Sequence, residues 1–403
     1  MKSQTKAEYK VVARRESCAI CHSSDLAVLL DHPGLPLTGI FSQKPMEEQP
    51  SGIDQQFLFC SACGHGQLAF AVDPSHLYDE TYIFRTSLSA TARAGTDFFL
   101  NFLKSIRPQL DFQCALDIGC NDLYLLKQLQ DKVPIRVGID PMWAAQPLPD
   151  HTEGIGLIGG TLEEADVMGA THRRPDLVVC RHTLEHIFDP RQMLEKLVSI
   201  TSDQTLFVFE LPGLDTLMER SRFDQIFHQH LQYFSLHSLC GLMRLFNLHL
   251  IDYQIHYHDW GAMAVAFSKQ GRSAREQDPP FRFDIRVMKD RFKIFQQHLQ
   301  RVGRILDSFK DSVIYGYGAS AMLPILAYHM QHDLGLLQAV LDDDIRRAGL
   351  YYANLPLRIH HPSEVKNFTE TNIFLTAVDS VEPILTKLMA SRPKNIIFPL
   401  EAM

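Results

Sequence analysis

The stretch Ala115-Leu-Asp-Ile-Gly-Cys-Asn-Asp122 decides how the rest of the chain is read. An apolar run (Cys114, Ala115, Leu116, Ile118) carries Asp117 and stops at Gly119. A polar turn then enters Leu123-Tyr-Leu-Leu-Lys-Gln-Leu129, whose apolar residues recur at helical spacing. The pattern predicts a strand, a tight turn and a helix. A second apolar strand, Ile135-Arg-Val-Gly-Ile139, ends in Asp140, where a carboxylate could accept hydrogen bonds from both hydroxyls of a ribose. These are the parts of the first half of a nucleotide-binding α/β domain.

The glycine pattern helps choose the nucleotide. A dinucleotide site needs three glycines so that backbone amides close on a pyrophosphate, and this turn holds only Gly119. A cofactor without phosphate, held by a strand-end carboxylate and a close backbone approach, fits better, and S-adenosylmethionine is the common one. A purely structural turn or another nucleotide is the alternative. The candidate cofactor contacts are Asp117, Gly119, Cys120, Asn121 and Asp140, with His182 from a later strand end.

A chain of 403 residues is long enough for two or three domains, and 45% hydrophobic with 21% charged residues is ordinary for a folded soluble protein. A formal charge of −8 gives no basic footprint for nucleic-acid phosphates, so no nucleic-acid partner is expected. No apolar run is long enough to span a bilayer, and Met1-Lys-Ser-Gln-Thr-Lys6 is too polar to begin a signal peptide. The expectation is a cytoplasmic protein with no membrane partner.

Half of the eight cysteines fall in two knuckles, Cys18-Ala-Ile-Cys21 and Cys60-Ser-Ala-Cys63. Four thiolates in paired C-x-x-C turns match the closed tetrahedral shell of structural zinc, which leaves no open position for catalysis. Free thiols in two independent turns, or a redox pair, are the alternatives. Pro33, Gly34, Pro36, Pro45, Pro50 and Gly52 lie between the knuckles and suggest an irregular loop clipped at its base. His22 and His65 flank the knuckles as surplus ligands.

A helix is expected over 89–106. Pro175 to Cys180 reads as a buried strand that delivers Arg181-His182-Thr-Leu-Glu185-His186 to the carboxyl edge of the sheet, where open α/β sheets bind ligands. Asp189-Pro190 caps the next helix, and Thr205 to Glu210 is another strand. Phe227-His228-Gln229-His230 follows. Histidine titrates near neutrality, so His228 or His230 could take a proton from a carbon acid. Residues 248–268 read as two strands broken around His258-Asp-Trp-Gly261. Phe292, Phe295, Leu299, Val302, Ile305, Leu306 and Phe309 form a helical stripe, taken as core.

A second α/β pattern closes the chain. Strands are expected at 312–315, 337–341, 372–377 and 395–398, with a helix over 321–330 interrupted by Pro324. Gly316-Tyr-Gly318-Ala-Ser320 is either a structural turn or a phosphate site, which makes Gly316, Gly318 and Ser320 candidate substrate contacts. Two Rossmann-like units suggest two ligands with a cleft between them.

In order and spacing these parts resemble the zinc-containing, S-adenosylmethionine-dependent sugar C-methyltransferases, which act on nucleotide-linked 4-keto-deoxysugars. The resemblance covers nearly the whole chain: the paired knuckles, the Tyr82 segment, the turn at 117–119, Leu184-Glu-His-Ile187 before Asp189-Pro190, the histidine segment and the terminal Gly-Tyr-Gly-Ala turn. It implies an α/β protein with a zinc-binding module at 1–75, a Rossmann-like methyltransferase domain at 76–270 and a Rossmann-like substrate-binding domain at 271–403. It further implies that His230 is the base, with Tyr82 and His186 around an enolate and His228 nearby, and that the substrate is a nucleotide-linked keto sugar. Three positions depart from the family: Phe227 stands for tyrosine, Gln229 for glutamate and Leu123 for glycine. Those changes leave open a methyltransferase with another carbohydrate or natural-product acceptor, or a silent nucleotide-sugar-binding protein.

Overall fold

The computed structural model describes residues 9–46, 48–77, 85–144, 154–257, 261–270 and 284–400. At its centre is a seven-stranded sheet of β1 (Cys114–Ile118), β2 (Ile135–Asp140), β3 (Ile155–Gly159), β4 (Leu177–Arg181), β5 (Leu206–Pro212), β6 (His249–His256) and β7 (Ala262–Ser268). The order across the sheet is 3-2-1-4-5-7-6. The first five strands run parallel, and β7 is antiparallel to both its neighbours. Every residue of β1 is buried, as a central parallel strand covered on both faces requires. The winding reverses between β1 and β4, so a crevice lies beyond their carboxyl ends. The turn at 258–260 lies outside the described residues.

Two helices frame that crevice. Helix α1 (Ala90–Ile106) begins at Ser89, whose hydroxyl accepts from the Ala92 N–H at 3.2 Å, and it lays Phe99, Phe102 and Leu103 on the sheet. Helix α2 (Pro190–Ile200) begins at Asp189, whose carboxylate accepts from the Arg191 and Gln192 N–H groups at 3.1 Å. A cap of this kind contributes about 1 kcal/mol.

The span between the knuckles is not the irregular loop expected from its prolines. Leu26–Leu35 and Ile53–Cys60 pair as an antiparallel hairpin from Leu26 opposite Cys60 to Leu35 opposite Ile53. Pro33 and Gly34 fall where the register shifts between His32 and Leu35, a break in the ladder where a missing N–H and a positive φ (+61° at Gly34) are tolerated. Gly66–Leu68 and then Gln232–Tyr233 extend this sheet, so the segment after the histidines completes the N-terminal module.

The hairpin wedges between the other two parts. Leu29, Leu30, Phe57 and Phe59 share one apolar cluster with Leu217 and Phe223, with Phe292, Phe295 and Leu299 of α3 (Ile285–Asp307), and with Leu323 and Leu326 of α4 (Leu323–Met330). Each such side chain, fully buried, contributes about 1.5–3 kcal/mol. The α3 stripe is narrower than its spacing suggests: Ile305 is 41% exposed and Phe309 is only partly buried. Pro324 does not interrupt α4 but sits in its first turn, where no N–H is needed.

The C-terminal sheet is all parallel, with Ile359–His360, Val340–Leu341, Ile314–Tyr317, Asn372–Leu375 and Asn395–Ile397 side by side. Counted along the chain, its order is again 3-2-1-4-5. It is tied to the N-terminal module through Phe41–Ser42 pairing with Tyr351–Tyr352. No helix among the described residues is long and apolar enough to cross a membrane.

Candidate functional site

The turn after β1 is built for close approach. Gly119 has φ +75°, and a Cβ there would lie inside the Thr183 hydroxyl, so only glycine lets the β1 turn touch the β4 turn. The Asn121 N–H donates to Asp140 Oδ2 at 2.9 Å, and Asp140 Oδ1 accepts from the Met142 N–H at 3.0 Å. The Trp143 indole N–H donates to the Asn121 carbonyl at 2.7 Å. Asp140 therefore sets the shape of the turn through both carboxylate oxygens. Burial pushes its carboxyl above the usual range, against the pull of the two amides.

Asp117 lies beneath the turn with Oδ1 unpartnered among the described residues. Burial lifts it to about 7, with Arg181 opposing and Asp140 adding to the rise. Cys120 turns its thiol away from the crevice into the space left by Gly138. Leu123 keeps the left-handed conformation natural to glycine, with φ +66°, and buries its side chain beside Cys120, Leu126 and Trp143. The conformation costs about 1–2 kcal/mol, which that burial offsets. Over the turn, the Thr86 and Ser87 N–H groups donate to the Asn121 and Asp122 side chains at 3.1 and 2.9 Å. Tyr82 lies outside the described residues.

The loop after β4 brings the polar groups together. Arg181 pairs with the buried Glu210 at the end of β5 and donates to Thr96 of α1 at 3.0 Å. His182 has φ +46°, its N–H donates to the Glu210 carbonyl at 2.7 Å, and its side chain is 36% exposed. Its Nδ1 stands 3.5 Å from Glu185, an ion-pair distance longer than a good hydrogen bond. Glu185 itself is 2% exposed, and neither oxygen has a hydrogen-bond partner among the described residues. Burial alone would raise its carboxyl, but His182, His186 and His230 outweigh that and hold it at about 2.

His186 Nδ1–H donates to the Gln229 carbonyl at 2.8 Å, which places the lone pair of the neutral ring on Nε2. Its ring stands 4.9 Å from that of His230. His230 is 5% exposed, with Phe227 4.2 Å and Tyr233 6.1 Å from its ring. Burial drives its imidazole down to about 3, His186 and His182 add to the fall, and Glu185 opposes it. One ligand atom from each of Glu185, His186 and His230 lies within 4.8 Å of the others.

Neighbours of His230 in sequence face elsewhere. His228 Nε2–H donates to the Leu35 carbonyl at 3.0 Å, and its Nδ1 accepts from Gln55 at 3.2 Å, so both nitrogens hold the N-terminal hairpin. Gln229 accepts from the Thr38 hydroxyl at 2.6 Å and donates to the Thr38 carbonyl at 3.0 Å. Phe227 packs with Leu35, Met322 and Ile325, which brings α4 to the histidine turn.

The four knuckle cysteines converge, with Cys18 to Cys63 and Cys21 to Cys60 both 3.6 Å between sulfurs and all four sulfurs within 4.8 Å. Zn–S bonds of about 2.3 Å in a tetrahedron put sulfurs about 3.8 Å apart, so the cluster is compatible with a metal ion. His65 is occupied, its Nε2 2.9 Å from the Gln232 side-chain oxygen. Gln232 in turn donates to the Ile187 and Phe188 carbonyls, and Arg191 of α2 donates to the Ile20 carbonyl in the first knuckle. The cysteine cluster thus buttresses the loop that carries His186.

In the C-terminal turn, Gly318 has φ +94° and a Cβ there would strike Ala377. The Ala319 N–H donates to Asp342 Oδ2 at 2.7 Å, and Asp342 Oδ1 accepts from the Asp344 N–H at 2.9 Å. Arg347 donates to the Ala319 carbonyl at 2.7 Å, and the Tyr352 hydroxyl donates to the Ser320 carbonyl at 2.9 Å. Gly316 and Gly318 both have steric reasons within the fold, and Ser320 Oγ accepts from the Met322 N–H.

Glu185, Thr183, Gln232 and Trp143 escaped the reading of the sequence. Glu185 and Thr183 stood in a quoted stretch, but the burial of Glu185 among imidazoles had no signal in the local pattern.

Residues 87–253 match the family described as a methyltransferase domain. The C-methyltransferase NovU of Streptomyces niveus is 25% identical over 276 residues, 67% of this chain, and the chain spans 64% of that relative's length. Magnesium protoporphyrin IX methyltransferase from Synechocystis PCC 6803, solved with bound SAH, is 11% identical and covers 45% of this chain and 85% of its own, at a TM-score of 0.35. The N-methyltransferase NodS from Bradyrhizobium japonicum WM9 is 15% identical over 45% of this chain and 98% of its own, at a TM-score of 0.34.

Proposed function

We propose that the protein is an S-adenosylmethionine-dependent C-methyltransferase that alkylates the carbon beside the ketone of a nucleotide-linked deoxysugar. The observation that carries this reading is the His186–His230 pair, held over a buried carboxylate at the loop that follows β4. A ketone's neighbouring C–H is a weak acid, so its removal needs a base and a donor for the enolate oxygen fixed together away from water. His230 is the base. His186, once protonated at Nε2, donates to the enolate oxygen, with Tyr82 beside it. His228 serves the fold, because both its nitrogens are engaged.

Asp140, Asn121 and the Gly119 backbone would hold the adenosylmethionine, which supplies a methyl group on a sulfonium. Asp117 and His182 line the same crevice. Gly316, Gly318 and Ser320 contribute to a substrate-binding unit over 271–403. The domain boundaries 1–75, 76–270 and 271–403 belong to this reading, as does a structural zinc on Cys18, Cys21, Cys60 and Cys63 in a cytoplasmic enzyme.

A second reading changes the acceptor. Phe227 presents a ring without a hydroxyl to His230, and Gln229 is turned to Thr38, so neither the phenol nor the carboxylate of the resembled family reaches the pair. Incubation with methyl-labelled S-adenosylmethionine and a panel of dTDP-linked 4-keto sugars, read by mass spectrometry, tests both. Label on carbon that His230→Ala abolishes supports the first reading. Label only on oxygen, or only with other acceptors, overturns it in favour of the second.

A further inference from the structure

We propose that Glu185 is a positioning residue that joins His230, His186 and His182 into one proton relay, through which the proton taken from the substrate carbon leaves the buried site. The inference rests on His230 acting as base. Each turnover converts a C–H into a C–CH3 bond and a sulfonium into a neutral thioether, so one proton must leave. His230 is 5% exposed, whereas the His182 side chain is 36% exposed. Glu185 lies between them, within 4.8 Å of the His186 and His230 donor atoms and 3.5 Å from His182 Nδ1.

The buried carboxylate accepts no hydrogen bond among the described residues, and a buried charge without a partner is costly. The imidazoles that surround it keep it ionised, and it in turn opposes the fall in basicity that burial imposes on His230. Glu185 is thus the carboxylate nearest the pair, since Gln229 is turned to Thr38. In the relay, the His230 imidazolium returns its proton to the Glu185 carboxylate after the methyl group has moved. The carboxylic acid then passes it to His182, which releases it to water. The distances close to hydrogen-bond length by side-chain rotation or one bridging water, as such contacts commonly tighten around substrate.

Two measurements test this. Infrared difference spectra of wild type against Glu185→Gln at pH 7 need no substrate. Loss of a carboxylate band is expected, and loss of a protonated carboxyl band would overturn the relay, because an acid already protonated cannot accept. With the acceptor that wild type methylates, Glu185→Gln should lower kcat by about 10²–10⁴-fold, the range usual for a lost proton-transfer group, with S-adenosylmethionine affinity and KM within about twofold. Glu185→Ala should regain part of kcat with added formate, which a merely structural role would not show. His182→Gln, at the exposed end, should lower kcat in the same way. Unchanged kcat in Glu185→Gln sinks the relay while leaving His230 as base. His230→Ala retaining turnover sinks the base and the relay together. Zinc in excess of the four-cysteine site that Glu185→Gln removes would assign the cluster to a metal and also overturn the relay.

Discussion

The turns after the first strands of the two parallel sheets share one local device. In each, the aspartate that ends or follows the second strand accepts from a turn amide with one oxygen and from the amide two residues beyond itself with the other: Asp140 to Asn121 and Met142, Asp342 to Ala319 and Asp344. They differ in what stands over the turn. The C-terminal one is closed by the protein's own groups, Arg347 on the Ala319 carbonyl and Tyr352 on the Ser320 carbonyl. Over the central one the Thr86 and Ser87 amides reach only the Asn121 and Asp122 side chains. Asp117 lies beneath it with an oxygen unpartnered among the described residues, and the part-exposed His182 stands at the next strand end. The proposed function assigns a ligand to the central turn alone, although the backbone wiring of the two is the same.

If that contrast holds, Asp140→Ala should weaken S-adenosylmethionine binding by at least about 100-fold by calorimetry, whereas Asp342→Ala should leave it within about twofold; hydrogen bonds to a charged group are worth about 1.5–3 kcal/mol each. Equal losses in both variants would break the comparison. Stability should report the reverse. Arg347→Ala strips the cover from the C-terminal turn and should cost about 1–3 kcal/mol in urea unfolding with cofactor affinity unchanged. An effect of similar size is expected at Leu123. Glycine there relieves the left-handed strain but empties a buried site, for a net loss of about 1–3 kcal/mol.

The smallest effect separates two kinds of buried histidine. His186 and His230 share Glu185, but His32 and His329 lie in apolar surroundings with no ring nitrogen partnered among the described residues. Burial lowers His32 to about 4, with Asp31 opposing and His228 adding to the fall, and lowers His329 to about 3 with help from His32. Both values lie below the unfolded value of about 6.5, so the unfolded chain binds more protons as the pH drops. Their contribution is complete above about pH 6.5 and fades toward pH 4 by about 1.4 kcal/mol per pH unit for each histidine. His329→Phe should flatten the fall in stability between pH 6.5 and 5 in urea titrations; an unchanged slope would assign acid sensitivity elsewhere.

Much of this was legible in the sequence. The strand before Gly119, Asp140 at the end of β2, the Asp189-Pro190 cap and the paired cysteines are short-range patterns whose cause lies within a few residues. The N-terminal hairpin was not, because Pro33, Pro36 and Gly34 read as loop and are tolerated only where the partner strand shifts register. Nor was the use of His228 and Gln229, whose partners Leu35, Gln55 and Thr38 lie far away in sequence.

Local spacing by itself determined the strands, turns and helices of the central and C-terminal α/β units, and which residue types could bind a nucleoside or a metal ion, because dihedral preference and apolar periodicity act over a few residues. Which of two adjacent histidine-segment side chains meets His186, and which buried carboxylate balances them, was decided only in three dimensions. There the N-terminal hairpin claims one face of the 227–233 turn and leaves His230 to the loop after β4. A side chain's chemistry depends on partners that chain folding brings together, and no local pattern records them.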